Sequence, residues 1–248
     1  MKRILGRIRK ACFDYSMIKD GDKIAVGVSG GKDSMVLLYA LKLYQQFSTE
    51  KFEMCGIAID PGFDNFDLSE ITTFCKEKDI PLNIIKTDIY EIVFNIRKEK
   101  NPCALCANLR RGALHNAMEK LGCNVLALGH HRDDVVETFM LSMLYEGRLK
   151  TFKPKTYLDR RKIHVIRPMI YLFEQEVKSA HKEYKLPLVE SPCPVDKTTK
   201  RQEMKDLLKT LYKDIPQSKN NLFQVIKSDK DMELWFKNKN FEEADNEA

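Results

Sequence analysis

The sequence predicts an α/β fold built on a parallel sheet, and three observations predict it. Strand-like apolar runs alternate with segments of helical spacing between residues 23 and 184, a rhythm that lays helices on both faces of a parallel sheet. The unusual strings, rich in Gly, His and Asp, fall directly after predicted strands, where open α/β sheets carry their ligands. The chain has 248 residues, 43% hydrophobic and 31% charged, enough to bury a core without disulfides. Those proportions exclude a disordered or collagen-like chain. No apolar run approaches the ~20 residues of a membrane helix, and the charged first ten residues lack the apolar stretch of a signal peptide. Seven cysteines, an odd number, suit a reducing, cytoplasmic setting, where closely spaced thiols more often bind metal or do chemistry.

Taken in order, residues 4–15 have helical spacing, 23–28 alternate as a strand and 35–47 return to helix. Residues 52–60 form a second strand, stopped by Pro61-Gly62. A helix over 67–78, a strand over 82–86 and a helix over 88–98 follow. A long helix over 103–121 is closed by Gly122, and 124–128 is a strand. Residues 133–145 are helical, 162–167 strand-like before Pro168, and 174–184 helical. Beyond Pro192 the pattern is helical only. The expected organisation is a basic N-terminal helical segment (1–20), a nucleotide-binding domain (21–190) and a C-terminal helical extension with an acidic tail (191–248).

The net charge of +6 is unevenly placed. Residues 1–20 carry six basic side chains against two aspartates, and 197–213 are again basic. The densest block holds Arg148, Lys150, Lys153, Lys155, Arg160, Arg161 and Lys162 against Asp159 alone. One such run is usually a solvated face. Three in a nearly neutral chain favour a polyanion such as RNA.

The first strand runs into Ser29-Gly30-Gly31-Lys32-Asp33-Ser34 and then a helix. Adjacent glycines let consecutive N–H groups converge on an anion, and the helix N-terminus adds positive potential. Lys32 supplies a full charge, and Ser29 and Ser34 supply hydroxyls. The spacing is that of neither a Walker loop nor a dinucleotide fingerprint. An ordinary turn capped by Asp33 or Ser34 explains one or two of these residues, not six. The string resembles the signature of the PP-loop ATP pyrophosphatase superfamily, whose fold is Rossmann-like. The resemblance implies that residues 29–34 hold the pyrophosphate end of ATP, that AMP is transferred to a substrate oxygen, and that Asp33 orders phosphate or Mg²⁺.

The second string, Gly129-His130-His131-Arg132-Asp133-Asp134, also sits between a strand and a helix. A zinc site is one reading of two His and two Asp; a helix cap by Asp133, with Asp134 in the first turn, is the plainer one. LGHHRDD followed by ET, with VIRPMIYL beyond, resembles the tRNA 2-thiocytidine synthetase branch of the superfamily, a relative of the tRNA 2-thiouridine synthetases. The likeness runs from Asp20 past Cys193. It implies that Gly129 lies against the nucleotide, that Asp134 is catalytic, and that the backbone near Ile59 and Asp60 frames the adenine.

Asn101-Pro102-Cys103 reads as the start of a helix, with Cys103 and Cys106 on one face near its positive end and Arg110 one turn further. Zinc, redox and iron–sulfur readings all remain open for a C-x-x-C pair. Cys193, braced by Pro192 and Pro194 in a loop that follows a predicted strand, is the further candidate. The resemblance implies a 4Fe–4S cluster on Cys103, Cys106 and Cys193, with one iron open to carry sulfur; Arg110, a positive charge on the same helix face, is the candidate to assist the sulfur exchange. It also implies tRNA as substrate and a sulfur donor, either sulfide or a persulfide-carrying protein. A homodimer is compatible with the sequence. Cys12, Cys55, Cys75 and Cys123 read as packed apolar residues. Phe63, Phe66 and Tyr157 are candidates to stack on a base, though as isolated aromatics they are more often core. The rival activities are a cluster-free PP-loop ligase of lysidine synthetase or amidating type, and a non-catalytic RNA-binding protein with structural ATP.

Overall fold

The computed structural model describes residues 1–98, 102–189, 192–193 and 200–228. At its centre lies β1 (Lys23–Val28), with four of its six side chains buried, as befits a strand covered on both faces. Parallel to it on one side run β2 (Glu53–Asp60) and β3 (Leu82–Lys86), and on the other β4 (Val125–Ala127) and β6 (Ile163–Ile166). The edge strand β5 (Lys155–Leu158) is antiparallel to β6, giving the order β3-β2-β1-β4-β6-β5. The chain reverses its direction of travel across the sheet between β1 and β4, so a crevice opens above their carboxyl ends.

Alternating side chains of β1 feed two apolar layers. Ile24, Val26 and Val28 join α1 (Lys2–Asp14), α2 (Lys32–Gln45), α3 (Ser69–Glu77) and α6 (Glu174–Glu183) on one face. Met204 of α7 (Lys200–Asp214) and Phe223 of α8 (Ser218–Lys227) belong to that same layer, as does the fully buried Ile8 of α1. Ala25 faces the other layer, closed by Ala117 and Met118 of α4 (Pro102–Leu121). The remaining helix, α5 (Arg132–Glu146), follows β4 and ends at Gly147, whose left-handed φ of +63° closes it. Among the described residues no helix is long and apolar enough to cross a membrane.

Three expectations are corrected. Residues 88–98 do not form an α-helix: a π-helical turn spans Glu91–Ile96, with the Arg97 N–H bonded to Ile92 O (2.9 Å), and it brings Tyr90 and Phe94 together beside Phe63. The strand β5 is additional, because its Lys-Thr-Tyr-Leu stretch lies inside the basic run and reads as a solvated face. The segment ahead of Cys193 is irregular over 186–189 rather than a strand.

Candidate active site

The loop at residues 29–34 is folded by its own small side chains. Gly30 takes φ +83°, and Ser34 Oγ accepts from Ser29 N (3.2 Å) while donating to Gly31 O (2.8 Å). Ser29 Oγ accepts from Gly31 N (3.3 Å). Gly31 is the N-cap of α2 and provides no side-chain cap, which leaves the positive end of the helix available to an anion. Lys32 Nζ lies 3.0 Å from Asp33 Oδ2 and 3.3 Å from Glu174 Oε1. Burial works against its charge, but the two carboxylates outweigh it and raise its pKa. Asp33 Oδ1 is buried and has no hydrogen-bond partner among the described residues.

The loop at 129–134 is pressed onto the first. A Cβ on Gly129 would stand 3.0 Å from the Asp33 carbonyl carbon and oxygen, so any side chain here would force the backbone of the first loop to give way. Buried His131, not Asp133, caps α5: its Nδ1 accepts from Asp134 N (3.4 Å) while Asp134 Oδ2 accepts from His131 N (2.9 Å). Its Nε2 faces Asp33 Oδ1 at 3.7 Å, bridging the loops. Asp133 accepts instead from the Glu174 N–H (2.7 Å) and docks the start of α6. Arg132 is clasped between Phe173 and Phe223, 4.3 and 4.4 Å from their ring centroids.

Sequence reasoning missed the contribution of α7. Arg201 lies 3.5 Å from Asp134 Oδ1 and 3.4 Å from Glu137 Oε2, and Lys205 lies 3.7 Å from both Glu137 and Glu174. Burial pushes Glu137 up to about 7, against the pull of Lys205 and Arg201. Glu174 goes the opposite way: burial alone would raise it, but Lys205, Lys32 and Lys178 hold it at about 2. The only sequence signal for this helix was its basic charge, which is equally that of a solvated face.

Beside the first loop a cavity of about 460 Å³ opens under α4, with Val28, Ser29, Ile57 and Ile59 at one end and Arg110, Arg111, His115, His130 and Arg167 around it. Ile59 reaches it. Asp60 does not line it, its carboxylate being engaged by Gly62 N (2.9 Å) and its carbonyl by Thr87 N (3.0 Å). His130 stacks on Phe152, and burial lowers its pKa to about 4.

At the start of α4, Cys103 is exposed and Cys106 half-buried, and Cys193 is half-buried too. Burial raises the Cys106 thiol, Arg110 pulls it down, and both Cys193 and Cys103 lie close enough to push it up. Among the described residues, no three His, Cys, Asp or Glu side chains converge on a single ion, whether here or at the paired histidines. Asn101 lies outside the described residues. The remaining four cysteines are buried as expected, Cys55 and Cys123 with their sulfurs 3.9 Å apart.

The profile of the PP-loop ATP-binding domain matches residues 3–211. The chain belongs to the PP-loop family. It is similar to tRNA-cytidine(32) 2-sulfurtransferases: the one from Geobacter sulfurreducens is 38% identical over 91% of this chain and 89% of its own. That from Pelobacter propionicus is 37% identical over 91% and 85%. Among solved structures, the U34-tRNA thiolase NcsA from Methanococcus maripaludis, determined with its 4Fe-4S cluster, superposes with a TM-score of 0.75 at 26% identity. The match covers 91% of this chain and 77% of that one. The NH3-dependent NAD synthetase of Campylobacter jejuni (15% identity, TM-score 0.53, 91% of each chain) shares the fold alone. Residues 29–34, the string that resembles the PP-loop signature, lie at the crevice where β1 and β4 end.

Of the basic residues named from sequence, Arg148, Lys150, Lys153, Arg160, Arg161 and Lys162 are exposed on this PP-loop protein. Lys155 is tied to the Ser16 carbonyl and Arg161 to Asn116 Oδ1 (3.5 Å). Of the aromatic candidates, Phe63 stacks on Tyr90 and Phe66 packs against the core, while Tyr157 is exposed.

Proposed function

We propose that this chain is an ATP-dependent tRNA sulfurtransferase acting on a cytidine. The observation that carries the reading is the junction of a PP-loop with the start of α4: Arg110 lines the cavity beside Ser29 and also lowers the Cys106 thiol, so nucleotide and sulfur chemistry share one wall. Residues 29–34 and the N-terminus of α2 bind the ATP phosphates, and Ile59 and Val28 take the adenosine side of the cavity. Asp33, with an unpartnered buried oxygen, is the carboxylate suited to Mg²⁺. The pyrimidine carbonyl oxygen attacks the α-phosphorus, the bond to pyrophosphate breaks, and the oxygen becomes a leaving group that departs as AMP when sulfur takes its place. Asp134 keeps Oδ1 toward Arg201 and the nucleotide side. Arg110 balances the negative charge that develops between phosphate and thiol. Cys103, Cys106 and Cys193 would hold a 4Fe–4S cluster, which supplies an iron able to carry sulfur. The exposed lysines and arginines of residues 148–162 hold the tRNA backbone.

Anaerobically purified protein, given ATP and tRNA, is expected to release pyrophosphate and convert cytidine to 2-thiocytidine, read by mass analysis of the nucleosides. Asp33→Ala should abolish pyrophosphate release and keep the fold. Full turnover by well-folded Asp33→Ala would sink the assignment.

A further inference from the structure

The PP-loop lysine is already occupied. Lys32 Nζ meets Glu174 Oε1 at 3.3 Å, and Glu174 is the first residue of α6, its own N–H fixed by Asp133 of the second loop (2.7 Å). The same Oε1 lies 3.3 Å from Lys178 and 3.7 Å from Lys205. A carboxylate among three ammonium groups, beside an uncapped helix start, sits where a phosphate oxygen belongs by chemistry: an anion flanked by cations. We propose that Glu174 is a positioning residue that stands in for the terminal phosphate of the nucleotide, holding Lys32 extended toward the crevice and passing to Lys205 when a phosphate arrives. The inference deepens the nucleotide-site reading and rests on it.

The charge balance favours a hand-over. An incoming pyrophosphate group brings several negative charges to Lys32, and an unmoved carboxylate would repel them at close range. Lys205 gives that carboxylate somewhere to go, since it lies between Glu174 and Glu137 on the adjacent helix. Burial raises Glu137 to about 7, so near pH 7 about half of it is neutral, which weakens its hold on Lys205 and leaves that ammonium able to take more of the displaced anion.

The test is equilibrium binding of inorganic pyrophosphate and of adenosine to the full chain. Glu174→Gln, which keeps the shape and removes the competing charge, is expected to bind pyrophosphate roughly five- to tenfold more tightly, the gain being limited by solvent screening. Its adenosine affinity should be unchanged. Glu174→Asp, too short to reach Lys32, should shift in the same direction should the Gln variant fold poorly. Lys205→Ala should weaken pyrophosphate binding several-fold in the wild-type background and have no effect in Glu174→Gln. Equal or weaker pyrophosphate binding by folded Glu174→Gln and Glu174→Asp overturns the inference, as does a Lys205→Ala loss that persists without Glu174. Lys32→Ala separates the two levels. If it binds pyrophosphate as well as wild type, the nucleotide-site reading falls too. If it loses binding while Glu174→Gln gains none, only the hand-over falls.

Discussion

The phosphate end and the thiol end of the site are built in opposite ways. At the phosphate end, two strand-to-helix turns lock together through Gly129 on the Asp33 backbone and His131 beside the Asp33 carboxylate. At the thiol end, Cys103 is exposed and Cys106 half-buried, and the half-buried Cys193 comes from a segment ninety residues away. The first is local and preorganised, the second assembled across the fold. A site that binds a charged ligand reproducibly gains from rigidity, whereas one that must admit an RNA base and renew its sulfur needs an open face.

The sharpest way to break this contrast is to remove a thiol. Cys106→Ala is expected to lose bound iron and all thiolation while retaining pyrophosphate release, measured on anaerobic protein by iron content and product analysis. A simultaneous loss of pyrophosphate release would show the two ends to be one unit. Next in size is Gly129→Ala: its methyl meets backbone, which cannot yield easily, so ATP affinity should fall at least tenfold. Chemical denaturation should show a loss of about 1–3 kcal/mol. Replacing Arg160, Arg161 and Lys162 together by Ala should flatten the dependence of log K for tRNA on log salt by about three units, with ATP binding unchanged.

Smaller effects probe the electrostatics. Glu137 has a folded pKa of about 7, above its ordinary 4.5, so the folded state holds a proton that the unfolded chain has released. Stability should therefore fall as pH rises from about 4.5 to 7. Glu137→Gln should remove that slope and gain roughly 1–2 kcal/mol above pH 7, read from urea unfolding across the range. Lys205, Arg201, Asp134 and Glu174 all face this group, which makes a slope unaltered in the variant a clear failure. The smallest change concerns Arg110→Gln: the Cys106 thiol of metal-free protein should be alkylated a few-fold more slowly at neutral pH, because the cation that favours its thiolate is gone.

Much of the phosphate end was legible in the sequence because its chemistry is written in consecutive residues. SGGKDS and GHHRDD each encode one turn, and the strands before them are plain apolar runs. What stayed hidden is what depends on distance in the chain. Arg201 and Lys205 reach Asp134 and Glu137 from a helix over sixty residues on, and nothing in a basic amphipathic stretch says which acids it meets. His131 looked like a metal ligand or a bystander; its role as cap and bridge appears only when the two loops touch. The strand β5 was lost among lysines, because an edge strand needs apolar residues on one face only. The π-helical turn at Glu91–Ile96 has the same hydrophobic residues as an α-helix and differs by one residue of register.

One contact has consequences for how far sulfur can travel. The Val189 N–H bonds to Gly30 O at 3.0 Å, and the Val189 side chain fills the space that a Cβ on Gly30 would need. The strand of chain that leads to Cys193 is therefore moored to the PP-loop itself. Three residues, 190–192, lie between the mooring and Cys193, so the two Cα atoms can be at most about 14 Å apart. Under the proposed activity, that leash sets the working radius: an activated base has to come to the loop, since the third thiol cannot go out to meet it.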